Sequence, residues 1–425
     1  MLFQTLDDKK DCVAVYKNGL LGSSDLTDDL THTWNASAFL KGMPVEYAYL
    51  YCQQGLKEAC PEHLQTELEE TLGLLRAYTI SMSESKIDTN QHCFYDLVPD
   101  SFLAKFCEIK NKISQHVFHF HGRPKNYAFL KELHEIAQEI SNKKLNLDFS
   151  RVPTRHLSFA SRNKLKSARS AAPYIRYNIF GSRTGRMTTR KGSFPILNIN
   201  KEFRRAILPT NDRFVELDFN AFELRILLYL LDKEQPDIDI HEWNVKNVYD
   251  GIPTREEAKT RIFAWLFNLD SKDHMSEGAY NRSEILEKYW DGTSVTNPFG
   301  RIIESDRFHA ISYLIQSTAV DIVLRQMIKI DKLLKDKKSH IAFTIHDSVV
   351  IDMAEEDMSL LPELKRQFST FRDTQFLTNM SIGSDFGNME SEERLPCGHP
   401  VTDDYAHYDP NPGATHFCVS CAKES

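Results

Sequence analysis

The chain has 425 residues, 41% of them hydrophobic and 26% charged, with a formal net charge of -8. That length holds two or three domains with sizeable cores, and the composition is that of a soluble globular protein. No apolar run is long enough to span a bilayer, and the opening Met1-Leu2-Phe3-Gln4-Thr5-Leu6-Asp7-Asp8 is too polar for a secretory signal. The expectation is a cytoplasmic protein without a membrane partner, in the host cytoplasm if the chain is viral.

In chain order, residues 1–150 read as mostly helical. Pro61-Glu62 opens a helix predicted through Arg76, and Leu130, Leu133, Ile136, Ala137 and Ile140 mark the apolar face of another. No paired acidic motif of a built-in nuclease is found there. Residues 151–212 are basic and turn-rich. From Arg151 to Arg205 there are 14 Lys and Arg against one acid, Glu202, whereas from Ala354 to Ser425 there are 5 against 13 acids. The net charge therefore hides a basic middle and an acidic tail. The basic segment also carries Gly181, Gly185 and Gly192, with Tyr174, Tyr177 and Phe180 interleaved, which favours a phosphate backbone as partner.

The centre of the chain is Phe214-Val215-Glu216-Leu217-Asp218, a buried strand, followed by a helix with Leu224, Leu227, Leu228 and Leu231 at helical spacing. Asp218 thus stands where a strand gives way to a helix. After Asp239-Ile240-His241, Thr254 and Glu257 fit a capping box. On the helix opened by that box, Arg255, Lys259, Phe263 and Phe267 share one face. Two cations and two aromatics there suit a triphosphate and a base; the plainer reading is a structural helix whose cations pair with nearby acids. A further helix runs from Ile311 to Leu334 and carries Gln316, Ser317 and Asp321. The run from Ile341 to Asp352 reads as two strands with His346-Asp347 at the turn, backed by a helix from Leu360 to Phe371.

Two aspartates on separate strand ends suit a two-metal site, because hard cations about 3.5–4 Å apart need carboxylate oxygens that bridge them. One cation would activate an attacking hydroxyl and the other would neutralise a leaving phosphate.

Together these stretches resemble the family A DNA polymerases, the group of bacterial DNA polymerase I and related phage replicases. Asp218-Phe-Asn-Ala-Phe-Glu223-Leu-Arg225 resembles the Asp-x-x-x-x-Glu-Leu-Arg motif. Arg255-x-x-x-Lys259-x-x-x-Phe263 resembles the fingers helix, and His346-Asp347-Ser348 the His-Asp-Glu tripeptide. Thr184-Gly185-Arg186, Asp239-Ile240-His241 and Gln316-Ser-Thr-Ala-Val-Asp321 resemble three further elements of that family. The matches stand in the family's order across residues 150–360.

The resemblance implies an α+β right-hand fold, with an antiparallel-sheet palm and helical fingers and thumb. The thumb would fall within 1–150, the palm in 151–232 and 311–390, the fingers in 233–310, and a zinc-binding tail in 391–425. It implies two Mg²⁺ held by Asp218, Asp347 and the Phe219 carbonyl. Lys259 would protonate the leaving pyrophosphate and Arg255 would grip the outer phosphates. Phe263, Phe267 and His241 would line the dNTP site, and Glu223 would act as a steric gate against ribose. Arg183, Arg186, Gln316 and His346 would contact primer-template DNA.

Three departures stand out. Phe267 replaces a usual Tyr, so the hydroxyl that bonds the gate glutamate is missing. Ser348 replaces a carboxylate. Ala264 and Ala221 replace a usual Gly and Gln, and the fingers are short.

Of eight cysteines, Cys12, Cys52, Cys60, Cys93 and Cys107 are scattered, in the manner of reduced thiols. Cys397, His399, Cys418 and Cys421 have zinc-knuckle spacing, with His407 or His416 as substitutes for His399, and predict one structural Zn²⁺. The expected function is template-directed DNA synthesis. Proofreading would come from a separate exonuclease subunit, and a processivity factor is a further expected partner. A single-subunit RNA polymerase-like enzyme and a catalytically dead DNA-binding subunit are the competing readings; Glu223 opposes the first, and the two aspartates with Lys259 oppose the second.

Overall fold

The computed structural model describes residues 1–8, 11–87, 89, 92–153 and 157–391. The zinc-knuckle residues Cys397, His399, Cys418 and Cys421, and the substitutes His407 and His416, lie outside them. The chain forms two compact units, the first Met1–Lys143 and the second from Lys144 onward. Among the described residues no helix is long and apolar enough to cross a membrane.

The first unit is helical as expected, but it opens with a sheet. Strands β1 (Phe3–Asp7), β2 (Cys12–Lys17) and β3 (Leu20–Gly22) pair antiparallel in the order β1-β2-β3. The local cause is Asn18-Gly19, both at positive φ (52° and 79°), which is the backbone a two-residue hairpin turn demands. Helix α1 runs Glu62–Glu84, two turns beyond the predicted end, and α2 (Asp100–Phe120) lays Phe102, Leu103 and Cys107 on the core formed with Leu6 and Tyr16. On α3 (Tyr127–Asn142), Leu130, Leu133, Ile136, Ala137 and Ile140 are all buried, as their spacing predicts.

The second unit is organised around a five-stranded antiparallel sheet. Its strands are β4 (Arg213–Phe219), β5 (His340–Ile345), β6 (Ser348–Met353), β7 (Thr378–Gly383) and β8 (Met389–Ser391), in the order β5-β6-β4-β7-β8. Strand β4 is central and alternates: Val215, Leu217 and Phe219 are buried on one face, while Glu216 and Asp218 on the other are only half-buried. The Phe219 ring stacks on Phe222 at 4.1 Å and on Phe368 at 4.5 Å, so the apolar face of β4 is closed by helices α4 (Phe222–Leu230) and, after β6, Leu361–Ser369. Strands β7 and β8 were not anticipated; neither carries a long apolar run, and β8 is largely exposed.

Helix α4 carries the fully buried guanidinium of Arg225. Its Nε donates to the Asn220 carbonyl (2.8 Å), Nη1 to the Pro236 carbonyl (2.7 Å) and Nη2 to the Ile238 carbonyl (2.8 Å). Arg225 thereby ties the turn after Asp218 to the loop that leads into α5 (Ile240–Asn247). Burying a charge is tolerated only when its donors are met, and here carbonyls meet them. Arg225→Met strands those carbonyls and is expected to cost roughly 3 kcal/mol of stability in urea unfolding. A loss below about 1 kcal/mol would show that this arginine does not hold the junction.

Candidate active site

Two elements bring the central aspartates together. In the antiparallel pairing of β4 with β6, Asp218 stands opposite Ser348. Asp347 precedes Ser348 in the two-residue turn between β5 and β6, so it lies one residue from direct cross-strand opposition to Asp218. Both turns are made by non-glycine residues at positive φ: Ala221 (44°) after β4 and His346 (52°) before Asp347. Such backbones persist where the surrounding structure over-determines them, and they concentrate at functional sites.

The electrostatics report the same convergence. Burial pushes the Asp218 carboxyl up from 3.8 to about 7, helped by the charges of Glu216 and Asp347. Asp347 is also raised by burial, opposed by Arg186 and His346. Glu223, in the first turn of α4, is raised by burial and by Asp347, with Arg186 opposing. Asp218, Asp347, Glu223 and Arg186 thus share one electrostatic neighbourhood. The buried Asp347 Oδ1 has no hydrogen-bond partner, and neither has Arg186 Nε. Ser348 is buried, and its hydroxyl donates to Glu216 Oε1 at 2.8 Å.

The basic segment is fastened to the same hairpin. Tyr177 Oη donates to the Thr344 carbonyl (2.7 Å) and accepts from the Thr344 N–H (3.1 Å). Arg186 and His346 line a small cavity with Tyr177, Met187, Val320 and Thr344. Gly185 has φ +87°, and a Cβ there would come within 2.6 Å of the Arg301 Cζ. Arg301 is held in turn by Asp321, which is buried and accepts from its Nε (3.1 Å) and Nη2 (2.6 Å), and from Asn297 Nδ2 (2.7 Å). Arg301 is a residue the sequence reading passed over; a glycine required at 185 has no signature for what leans on it. Arg183 is exposed, and Gln316 is half-buried on helix Arg307–Leu333, where its Nε2 contacts Ser312 Oγ at 3.3 Å.

The aromatic-cationic face forms a separate group. Helix α6 (Arg255–Phe267) starts on the expected capping box of Thr254 and Glu257. Lys259 and Phe267 are exposed, and the rings of Phe263 and Phe267 are parallel within 3° at 6.1 Å. His241 is buried with its ring 5.8 Å from Phe263, and its Nδ1 has no partner. Arg255 follows the plainer reading in part: it pairs with Asp239 (2.9 Å) and with Glu256 (2.6 Å). Asp239 also caps α5 through the N–H groups of His241 and Glu242, both at 3.0 Å.

No protein-family model and no curated protein matches the chain. Among solved structures it is similar to the POL domain of Pol1 from M. smegmatis in complex with DNA primer-template and dNTP. The TM-score is 0.50 at 12% identity, over 67% of this chain and 75% of that one. The fold is similar to that of a DNA polymerase domain.

On this polymerase-like fold Asp218 and Asp347 offer carboxylate oxygens, the donors a hard divalent cation takes. Among the described residues no three His, Cys, Asp or Glu side chains converge as a cage. Two carboxylates would leave the remaining coordination to backbone, substrate and water. Phe219 offers only its backbone, since its ring is stacked inside the core.

The raised carboxyl of Asp218 has a measurable consequence. Between about pH 4 and pH 7 the folded protein holds a proton that the unfolded chain has released, so stability falls as pH rises through that window. In the presence of EDTA, wild type is expected to lose about 2.5 kcal/mol more than Asp218→Asn between pH 5 and pH 7.5. The remaining slope belongs to the other carboxyls raised by burial, Asp347 and Glu223 in the site and Asp7 and Glu135 outside it. Parallel stability curves for the two proteins would show that Asp218 is not desolvated.

Proposed function

We propose that the chain is a template-directed DNA polymerase of the family A type, adding deoxynucleotides to a primer 3'-hydroxyl. The observation that carries this reading is the placement of Asp218 opposite Ser348, beside Asp347, on a polymerase-like sheet. In this reading residues 151–232 and 311–390 are the palm, 233–310 the fingers, and the thumb lies within 1–150. Primer-template DNA and dNTPs are the substrates, as they are the ligands of the mycobacterial neighbour.

Asp218, Asp347 and the Phe219 carbonyl would hold two Mg²⁺, and the unpartnered Asp347 Oδ1 supports that fit. When bound, such ions lower the pKa of an attacking hydroxyl and neutralise charge on phosphate oxygens. The chain's own residues do the rest. Lys259, exposed on α6, donates a proton to the departing pyrophosphate, and Arg255 leaves Asp239 to grip the outer phosphates. Phe263 offers its ring to the base and sugar, with Phe267 parallel to it and His241 behind it. Glu223 stands below the sugar and excludes a 2'-hydroxyl. Arg183, Arg186, Gln316 and His346 hold the primer-template. Phosphoryl transfer asks a protein mainly for this positioning and charge neutralisation. Because Phe267 has no hydroxyl, Glu223 is not tethered from the fingers side, and sugar discrimination rests on Glu223 alone.

The tail, through Cys397, His399, Cys418 and Cys421, binds one structural Zn²⁺, since so short a segment gains its folding energy from metal.

Primer extension tests the enzyme. Asp347→Ala should lower the extension rate about 10³-fold while binding primer-template within threefold of wild type. An active variant, or a wild type that never extends a primer, would refute the reading. Metal analysis of the purified chain should find about one zinc; under half an equivalent would contradict the tail assignment.

A further inference from the structure

Beside Asp218 the fold places a carboxylate that the mechanism above does not use. Residues 216 and 218 are two apart in β4, so both side chains leave the same face of the sheet. Glu216 is half-buried, and its hydrogen-bond partner is the Ser348 hydroxyl, at 2.8 Å, with Ser348 itself the cross-strand partner of Asp218. Among the described residues Glu216 forms no ion pair. A lysine or arginine there would cancel its charge; a serine hydroxyl fixes the carboxylate in place and leaves the charge intact.

We propose that Glu216, oriented by Ser348, is a positioning residue whose negative charge tightens divalent-cation binding at the Asp218–Asp347 pair. The inference rests on the reading of that pair as a cation site. Glu216 acts from behind it, because no three acidic, histidine or cysteine side chains among the described residues converge as a cage. Outer-shell partners of metal ligands are worth about 10–100-fold in metal affinity; Glu216, bonded to Ser348 rather than to a ligand, acts through its charge and falls at the lower end of that range. Ser348 is then part of the device. A strand pairing that puts a small hydroxyl opposite Asp218 lets β4 itself supply the anion, two residues before Asp218.

The plainer alternative is a glutamate that merely satisfies a serine. Glu216→Gln separates the two, since its amide oxygen still accepts from Ser348 while the charge is gone. The experiment is a Mn²⁺ titration of the full chain without DNA or nucleotide, with free ion read by electron paramagnetic resonance. Glu216→Gln should raise the Mn²⁺ dissociation constant about tenfold. Ser348→Ala, which keeps the charge and loses its tether, should raise it less. Ser348→Glu in the Glu216→Gln background returns a carboxylate from β6 and should recover affinity to within about threefold of wild type. A Glu216→Gln constant within twofold of wild type, alongside weakened binding in Asp218→Asn, overturns this inference and leaves the cation site standing. Unchanged binding in both variants overturns the site as well.

Discussion

The pairing of β4 with β6 sets everything the site can do. Six residues, Arg213 to Asp218, run antiparallel against Met353 to Ser348 without a break in register. A slip of one residue would turn Asp218 toward the apolar face and bring Leu217 out. The register is held because Val215, Leu217 and Phe219 are buried under helices and every residue of β6 is buried. Asp352, at the far end, accepts the N–H groups of Thr210 (2.7 Å) and Asn211 (2.9 Å) and pins the entry to β4. Core packing on one side of the sheet thus decides which carboxylates meet on the other.

That meeting is electrostatically costly. Burial and the neighbouring charges of Glu216 and Asp347 push Asp218 to about 7, and Asp347 and Glu223 rise with it. Arg186 opposes the rise at Asp347 and Glu223. So many acids kept together against burial, with the Asp347 Oδ1 unpartnered, are what the proposed cation site rests on. Helix α6 is arranged on different terms. Its cations stay at the surface, with Arg255 parked on Asp239, while Phe263 and Phe267 keep a flat apolar face beside buried His241.

Much of this was legible in the chain. Strand-to-helix switching around Asp218, the apolar runs flanking His346-Asp347 and the Thr254–Glu257 box are local patterns, and the structure realises them where their spacing put them. What escaped depended on partners remote in sequence. The β1–β3 sheet is the exception: its Asn18-Gly19 turn is a local cue, absent from the mostly helical expectation for residues 1–150. Arg301 matters only because Gly185 approaches it, and Glu216 only because Ser348 stands across the sheet from Asp218. The Arg255–Asp239 pair was foreseen only as cations meeting nearby acids; which acid Arg255 meets depends on the turn that opens α5. Strand β7 holds its place by backbone pairing to β4, and β8 by pairing to β7, rather than by apolar patterns of their own.

The most direct measurement is a double-mutant cycle between the two aspartates, read as the single-turnover rate of nucleotide addition to a primer. If Asp218 and Asp347 hold one centre, each Asp→Asn change alone disables it, and the double variant is about as slow as either single one. Losses that multiply in the double variant, or a wild-type rate in either single one, would mean that the carboxylates do not act on a common centre.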